Sequence, residues 1–153
     1  MPIDVDVQYA IDGSDLPDKS QLKHWVKTAL EDLQENAVLT IRIVDEDEAT
    51  QLNERWRKSQ GPTNVLSFAY EGEPEIAPDL LGDIVVCAPV VAREAQEQNK
   101  NIDAHWAHMV IHGVLHLNGF DHIKPEDADC MESLEIKILE KLNYNNPYLI
   151  SQF

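Results

Sequence analysis

The chain has 153 residues, of which 43% are hydrophobic and 26% charged, and its formal net charge at pH 7 is -16. This length suits one core, so we expect residues 1–153 to form a single domain. The charge argues against a broad basic face for nucleic acid, although a local cationic site can still hold a phosphate. No signal-peptide pattern and no apolar run of membrane-spanning length are present, and the cysteines Cys87 and Cys130 have no CxxC partner. We therefore expect a cytoplasmic protein with no membrane partner and with both cysteines reduced in its core.

Hydrophobic periodicity predicts an α/β (α+β) domain in which about five helices pack on a small mixed sheet of about four strands. Asp18 or Ser20 could cap the first helix, and Asp45 with Glu48 resembles a capping box at the start of the second. The segments expected to form strands are 3–10, 38–44, 64–70 and 82–88. The segments expected to form helices are 18–36, 45–56, 90–98, 103–117 and 125–142.

Four of the six histidines lie in the stretch HMVIHGVLHLNGFDH, residues 108–122. On a helix, His112 and His116 lie one turn apart on one face, where two imidazoles can bind the same metal ion. His108 shares that face but lies two turns from His116, too far along the axis for the same ion. It is either a partner of a ligand or an ordinary helix-face histidine.

A third ligand requires the chain to turn back after the helix. Gly119 can adopt a positive φ and end the helix, which would bring His122 to the ion held by His112 and His116. The spacing matches the histidines and glycine of the metzincin motif HExxHxxGxxH. Two histidines alone would more often be an ordinary helix face, but the third histidine and the glycine favour a metal. Three neutral imidazoles leave one tetrahedral position open, which is typical of a catalytic zinc site.

The residue after the first histidine of this motif argues against a peptidase. Zincin peptidases carry a glutamate there as general base, and this chain carries Gly113. A peptidase would need a carboxylate from elsewhere in the chain.

Three segments together resemble the bacterial YbeY family of endoribonucleases. HGVLHLNGFDH resembles the family signature H-G-x-L-H-L-x-G-Y-D-H, and RKSQGPTNVLSF and LLGDIVV resemble two further blocks in the same order. The resemblance spans essentially the whole chain. It implies a zincin-like metal site with one zinc ion on His112, His116 and His122, and a functionally important arginine at Arg57.

The resemblance also implies an activity and partners. It implies a zinc-dependent endonuclease that cuts single-stranded RNA during 3′-end maturation of the small-subunit (16S) rRNA and in ribosome quality control. The partners implied are rRNA and the ribosome or its proteins, with no DNA partner. The chain departs from the family pattern at Phe120, usually tyrosine, at Asn64, often aspartate, and at Ala69, often proline. A hydroxyl at 120 or a carboxylate at 64 is therefore not assumed.

Two residues near the motifs have alternative interpretations. Arg57 could stabilise charge on phosphate oxygens, or it could be an exposed cation at a helix end. With Arg55 and Lys58 it forms the only dense basic patch, RWRK, where we expect the RNA backbone. Asp121 could orient a ligand imidazole or activate water, or it could be a surface turn residue.

Two other functions stay open. The chain could be a non-catalytic ribosome-assembly factor whose zinc is structural and whose acidic surface docks basic ribosomal proteins. It could also be a metal-dependent hydrolase of another substrate, with an enclosed pocket at the metal. For the nuclease, a zinc ion would act as a Lewis acid or lower the pKa of water towards about 7. Whether the nucleophile is water or the RNA 2′-hydroxyl is not determined by the sequence.

Overall fold

The computed structural model describes residues 3–13, 16–57, 61, 63–70, 79–120 and 124–148. Within these residues it has four strands and five helices, which confirms the predicted mixed α/β class. The strands in chain order are β1 Ile3–Tyr9, β2 Ala37–Val44, β3 Val65–Ala69 and β4 Leu80–Cys87. The helices are α1 Lys19–Leu30, α2 Glu46–Trp56, α3 Ala88–Glu97, α4 Ile102–Leu117 and α5 Pro125–Lys141.

The four strands form one mixed sheet in the order β1-β2-β4-β3. β1, β2 and β4 are parallel neighbours, whereas β3 runs antiparallel to β4 and lies at one edge. The register between β2 and β4 shifts between Val38 and Leu39, opposite Leu80 and Gly82. Gly82 has φ 141°, and a Cβ there would lie 2.1 Å from the carbonyl oxygen of Phe68. Only glycine therefore allows β3 to approach β4 this closely.

Alternation along the central strands divides the core between the two faces of the sheet. Ile84 and Val86 of β4 point into the larger cluster with α1, α4 and α5, while Val85 and Cys87 point into a smaller one with Ala49 of α2. Cys87 is buried as predicted. Cys130 is exposed on α5, so the prediction that it is a core thiol is wrong.

Helix α4 lies in the middle of the larger layer. It packs against β3, β4, α1, α3 and α5, and eleven of its sixteen residues are buried. A helix that is apolar around most of its circumference belongs inside the protein. His112 and His116, two of the three histidines predicted to bind metal, are thus carried by a central, largely buried helix.

The helix starts follow from their capping residues. Asp18 and Gln21 form a reciprocal capping box at α1. Asp45 accepts from the backbone N–H of Glu48, but the Glu48 side chain binds Arg42 of β2 instead of returning to the cap. The second predicted capping box is therefore only half formed. In the described part of the chain, no helix is both long and apolar enough to cross a bilayer.

Candidate active site

His112 and His116 lie on the same face of α4, one turn apart. Their ring centroids are 4.6 Å apart, and the rings are inclined at 78°. Both side chains are half-buried and line the same groove. The structure thus brings together two of the three histidines predicted to bind metal, at a spacing that two imidazole ligands of one ion require.

The end of α4 forms the turn that the sequence predicts. Gly119 has φ 91°, its N–H donates to the carbonyl of His116 at 3.0 Å, and the N–H of Phe120 donates to the carbonyl of Leu115 at 3.1 Å. This pair of bonds is a Schellman motif, with the glycine in the left-handed conformation. His122 and Asp121 follow the turn but lie outside the described residues, so the third ligand and the role of Asp121 stay predictions. Among the residues that are described, no group of three candidate ligands converges.

A buried carboxylate, on Glu135, forms a hydrogen bond with the His112 ring. Glu135 of α5 has an exposed fraction of 0%, and its Oε2 lies 2.6 Å from Nδ1 of His112. Its Oε1 lies 3.0 Å from Nε2 of His108 and also accepts a hydrogen bond from the Tyr148 hydroxyl. His108 is therefore part of this cluster and not a plain helix-face histidine.

The charge state of Glu135 fixes the proton on His112. Burial opposes ionisation of the carboxyl, but the hydrogen bonds from His108, His112 and Tyr148 outweigh it and lower the pKa of Glu135 from 4.5 to about 2. An ionised carboxylate only accepts hydrogen bonds, so His112 must carry its proton on Nδ1. In a neutral imidazole the metal-binding lone pair is then on Nε2.

Sequence reasoning missed Glu135 and Tyr148. Glu135 falls on the apolar stripe of α5, four residues after Met131 and four before Leu139, both of which are buried. A glutamate in such a stripe signals a buried polar partner, because an unpaired carboxylate is too costly there. Tyr148 follows the last helix and gives no comparable signal.

Position 113, where zincin peptidases carry a glutamate, is tightly packed against the sheet. A Cβ on Gly113 would lie 2.9 Å from Cγ2 of Ile84, and the Ser67 hydroxyl donates to the Gly113 carbonyl at 3.1 Å. The glycine lets α4 lie directly on β3 and β4. A glutamate could be accommodated at 113 only if the Ile84 side chain or the helix shifted.

Arg57 lies at the C-terminal end of α2 and faces the edge strand β3. Its side chain is exposed, its Nη2 donates to the carbonyl of Ser67, and its guanidinium carbon lies 5.1 Å from the ring centroid of Phe68. These contacts hold the exposed cation against β3, on the groove that His112 and His116 also line. Lys58, the third cation of the predicted basic patch, lies outside the described residues.

A groove along β3 connects these residues, and we call it the β3 groove. It has a volume of about 1260 Å³, and its lining includes His112, His116, Trp56, Arg57 and Phe68. It is partly open to solvent, as a chain-like substrate requires. The described site residues of the prediction, Arg57, His112 and His116, therefore share one surface.

Asn64, where many family members have aspartate, has a specific partner. Its side-chain Nδ2 lies 3.1 Å from Oε1 of Glu94, and that oxygen lies 2.9 Å from Nε2 of buried His105. A carboxylate at position 64 would face Glu94 with like charge. The amide thus suits this network, which fixes the start of β3 on α3 and α4.

The donor set fits a zinc ion as far as the described residues go. Zinc sites commonly contain two imidazoles one helical turn apart, one of them hydrogen-bonded through Nδ1 to a buried carboxylate. Nitrogen ligands also favour zinc over magnesium or calcium, which prefer oxygen.

Known proteins resemble this chain in sequence and in fold. A family model described as "Endoribonuclease YbeY" matches residues 8–143. An "Endoribonuclease YbeY" of Coxiella burnetii (strain Dugway 5J108-111) is 49% identical over 149 residues, which cover 95% of this chain and 98% of the relative. The solution structure of TM1509 from Thermotoga maritima matches with a TM-score of 0.61 at 24% identity, over 95% of this chain and 99% of that one, and shows the same fold.

Proposed function

The chain belongs to the YbeY family of endoribonucleases, and we propose that it is a zinc-dependent nuclease that cuts single-stranded RNA. We further propose that it works in the cytoplasm on the 3′ end of the small-subunit (16S) rRNA and in ribosome quality control. The observation that carries the catalytic part is the placement of His112, His116 and Arg57 on one groove, with Glu135 behind His112.

The residues in and next to the groove would have different roles in phosphodiester cleavage. His112, His116 and, as predicted, His122 would hold the ion, which when bound supplies a Lewis acid for the scissile phosphate. Glu135 keeps the proton of His112 on Nδ1, so Nε2 is the nitrogen that would bind the ion. Arg57 uses one N–H on Ser67, and its guanidinium has further donors for the charge that develops on phosphate oxygens.

The acidic surface restricts how RNA can bind. With a net charge of -16, the chain repels a long polyanion everywhere except near local cations. A single strand that enters one groove is compatible with this charge, whereas a broad duplex interface is not. The acidic remainder of the surface suits docking to basic ribosomal proteins, which is the partner class that we propose.

The first test is cleavage of a labelled single-stranded RNA by the zinc-loaded protein. We expect the wild type to cut and His116→Ala to be inactive, because the ion loses a ligand. Arg57→Ala should retain zinc and lose about 10²- to 10³-fold in kcat. A product with a 2′,3′-cyclic phosphate would identify the 2′-hydroxyl as nucleophile, and a product with a 5′-phosphate and a free 3′-hydroxyl would identify water.

Two matched variants control for the loss of a histidine or an arginine as such. His24 is exposed on α1 and Arg93 is half-exposed on α3, and neither lines the β3 groove. His24→Ala and Arg93→Ala should cut like the wild type, with circular dichroism showing that all variants are folded. Equal cleavage by wild type and His116→Ala, or no cleavage by either, would contradict the nuclease and favour the assembly-factor alternative.

A further inference from the structure

The β3 groove collects aromatic side chains. The chain has ten aromatic residues, and four of them, Trp56, Phe68, Tyr70 and Phe120, line this groove. Trp56 is 58% exposed and Tyr70 is 38% exposed. Exposing large aromatic surfaces to water is unfavourable in free energy. Their concentration in the same groove as the histidines therefore indicates a ligand with an apolar face.

Trp56 and Tyr70 lie at the C-terminal ends of two consecutive elements, α2 and β3. Trp56 is the last residue of α2, and Tyr70 directly follows β3, where its N–H donates to the carbonyl of Leu81 at 2.8 Å. Trp56 therefore directly precedes Arg57 at the end of α2, and Tyr70 lies two residues after Phe68 at the end of β3. Side chains placed in this way can present their rings without a loop having to order first.

Among the described residues that line the groove, the arginine and lysine side chains are too few to bind RNA by phosphate contacts alone. Arg57 is the cation in the described lining, with Arg55 beside it over the Trp56 ring at 5.2 Å, and Asp83 lines the same groove with the opposite charge. Proteins that bind RNA mainly through its backbone need many more cations, because each contact releases one counterion. Beyond these cations and the charge of the proposed zinc ion, affinity can come from contacts that do not depend on charge.

We infer that Trp56 and Tyr70 are stacking platforms for unpaired bases on RNA that lies in the β3 groove. This inference rests on the proposed function and specifies how that site recognises its substrate. Every base has a π face, so stacking on aromatic rings binds single strands with little sequence preference. Bases inside a duplex are already stacked on each other, so the same platforms select against double-stranded RNA. Arg57 then contacts phosphate between bases.

The test measures kcat and KM for cleavage of a short single-stranded RNA by the zinc-loaded wild type and by Trp56→Ala and Tyr70→Ala. Loss of a base stack weakens binding by about 5- to 150-fold, so KM should rise by a factor in that range while kcat changes less. Trp56→Phe restores a ring and should recover most of the KM. Tyr9→Ala is the matched control, since Tyr9 is 40% exposed on β1 at the opposite edge of the sheet.

An abasic scan distinguishes stacking from a change of shape. Oligonucleotides that lack one base but keep every phosphate should raise the KM of the wild type at the stacked positions. They should cause no further rise in the alanine variant whose ring had held that base. The logarithm of the KM should also rise with the logarithm of salt concentration by a slope of only about 0.7 for each phosphate contact on a single strand.

Two results would overturn the inference. If the wild type cuts RNA and the alanine variants have its KM, or Trp56→Phe is as weak as Trp56→Ala, the rings do not stack on bases and the proposed function stands without them. If the zinc-loaded wild type cuts no RNA, the proposed function fails and this inference fails with it.

Discussion

Glu135 is the residue that most changes the picture of the site. A metal-binding imidazole needs its second nitrogen held, because a ring that rotates or takes a proton on the wrong atom loses its ligand geometry. Glu135 provides this for His112, and its other oxygen is occupied by His108 and Tyr148. Its carboxylate charge is thus stabilised by three hydrogen bonds at a fully buried position.

Replacing Glu135 by glutamine should weaken zinc binding while the helices remain. The amide is neutral and can present its NH₂ group where the carboxylate accepted a bond, so His112 is no longer held in one tautomer. We expect zinc affinity to fall by about 10- to 100-fold, measured by competition with a chromophoric chelator. Glu140→Gln, on the exposed face of the same helix, is the control and should bind zinc like the wild type. Equal affinity for Glu135→Gln and wild type would show that the carboxylate does not position the ligand.

His105 gives the pH dependence of stability a predictable sign. Burial lowers its pKa below 6.5 and outweighs the opposing attraction of Glu94. Below about pH 6.5 the unfolded chain therefore binds a proton that the folded chain does not, so stability falls as pH falls. The loss from one such proton is at most about 1.4 kcal/mol per pH unit.

The measurement is the change in Tm between pH 7.5 and pH 5.5. We expect His105→Gln, which keeps a donor for Glu94 but does not titrate, to lose less Tm over this interval than the wild type. His24→Gln replaces an exposed histidine and should follow the wild type. Parallel curves for wild type and His105→Gln would disprove the linkage.

At the scale of single residues, what could be predicted from sequence depended on distance along the chain. His112, His116 and Gly119 lie within eight residues, so helix geometry alone relates them, and their placement is as predicted. Glu135 lies 23 residues after His112, and its contact depends on how α5 crosses α4. No local pattern contains that crossing, which is why the supporting carboxylate was missed.

At the scale of elements, the edge strand β3 determines the shape of the groove. It carries Ser67 and Phe68, which hold Arg57, and its distance from β4 depends on Gly82. Periodicity predicted β3 and β4 to within two residues at each end. The edge position of β3 and its antiparallel direction could not be predicted, because strand order is set by long-range pairing.

Gly82→Ala should displace β3 and impair cleavage more than it affects zinc. The new Cβ would lie 2.1 Å from the Phe68 carbonyl oxygen, and φ 141° is a backbone region used almost only by glycine. We expect destabilisation above about 2 kcal/mol in urea unfolding and a lower kcat/KM, since Arg57 moves with β3. Gly61→Ala is the comparison, because it has φ 77° but no atom within 4 Å of its Cβ and should lose only about 1 kcal/mol. Similar losses for the two variants would show that the β3 contact does not matter.

At the scale of the whole molecule, the two apolar clusters of the core include neither His112 nor His116. The larger cluster joins β1, β2 and β4 to α1, α4 and α5 by apolar side chains, and the smaller cluster covers the other face of the sheet. His112 and His116 lie at the border of this core and are half-buried. Composition and periodicity predicted the core because burial of apolar surface depends little on strand order. Because the core packs without these histidines, we expect an ion bound to them to be catalytic rather than structural.

Removal of zinc should therefore leave the protein folded but inactive. A structural zinc contributes most of the folding free energy of small metal-dependent domains, which unfold when it is removed. Here the sheet and its two apolar clusters supply that free energy, so treatment with a chelator should leave the circular dichroism spectrum and urea-induced cooperative unfolding in place. Bound zinc should raise the Tm by mass action only, and added zinc should restore RNA cleavage. Unfolding of the chelated protein would instead identify the ion as structural and support an assembly factor that binds rRNA without cutting it.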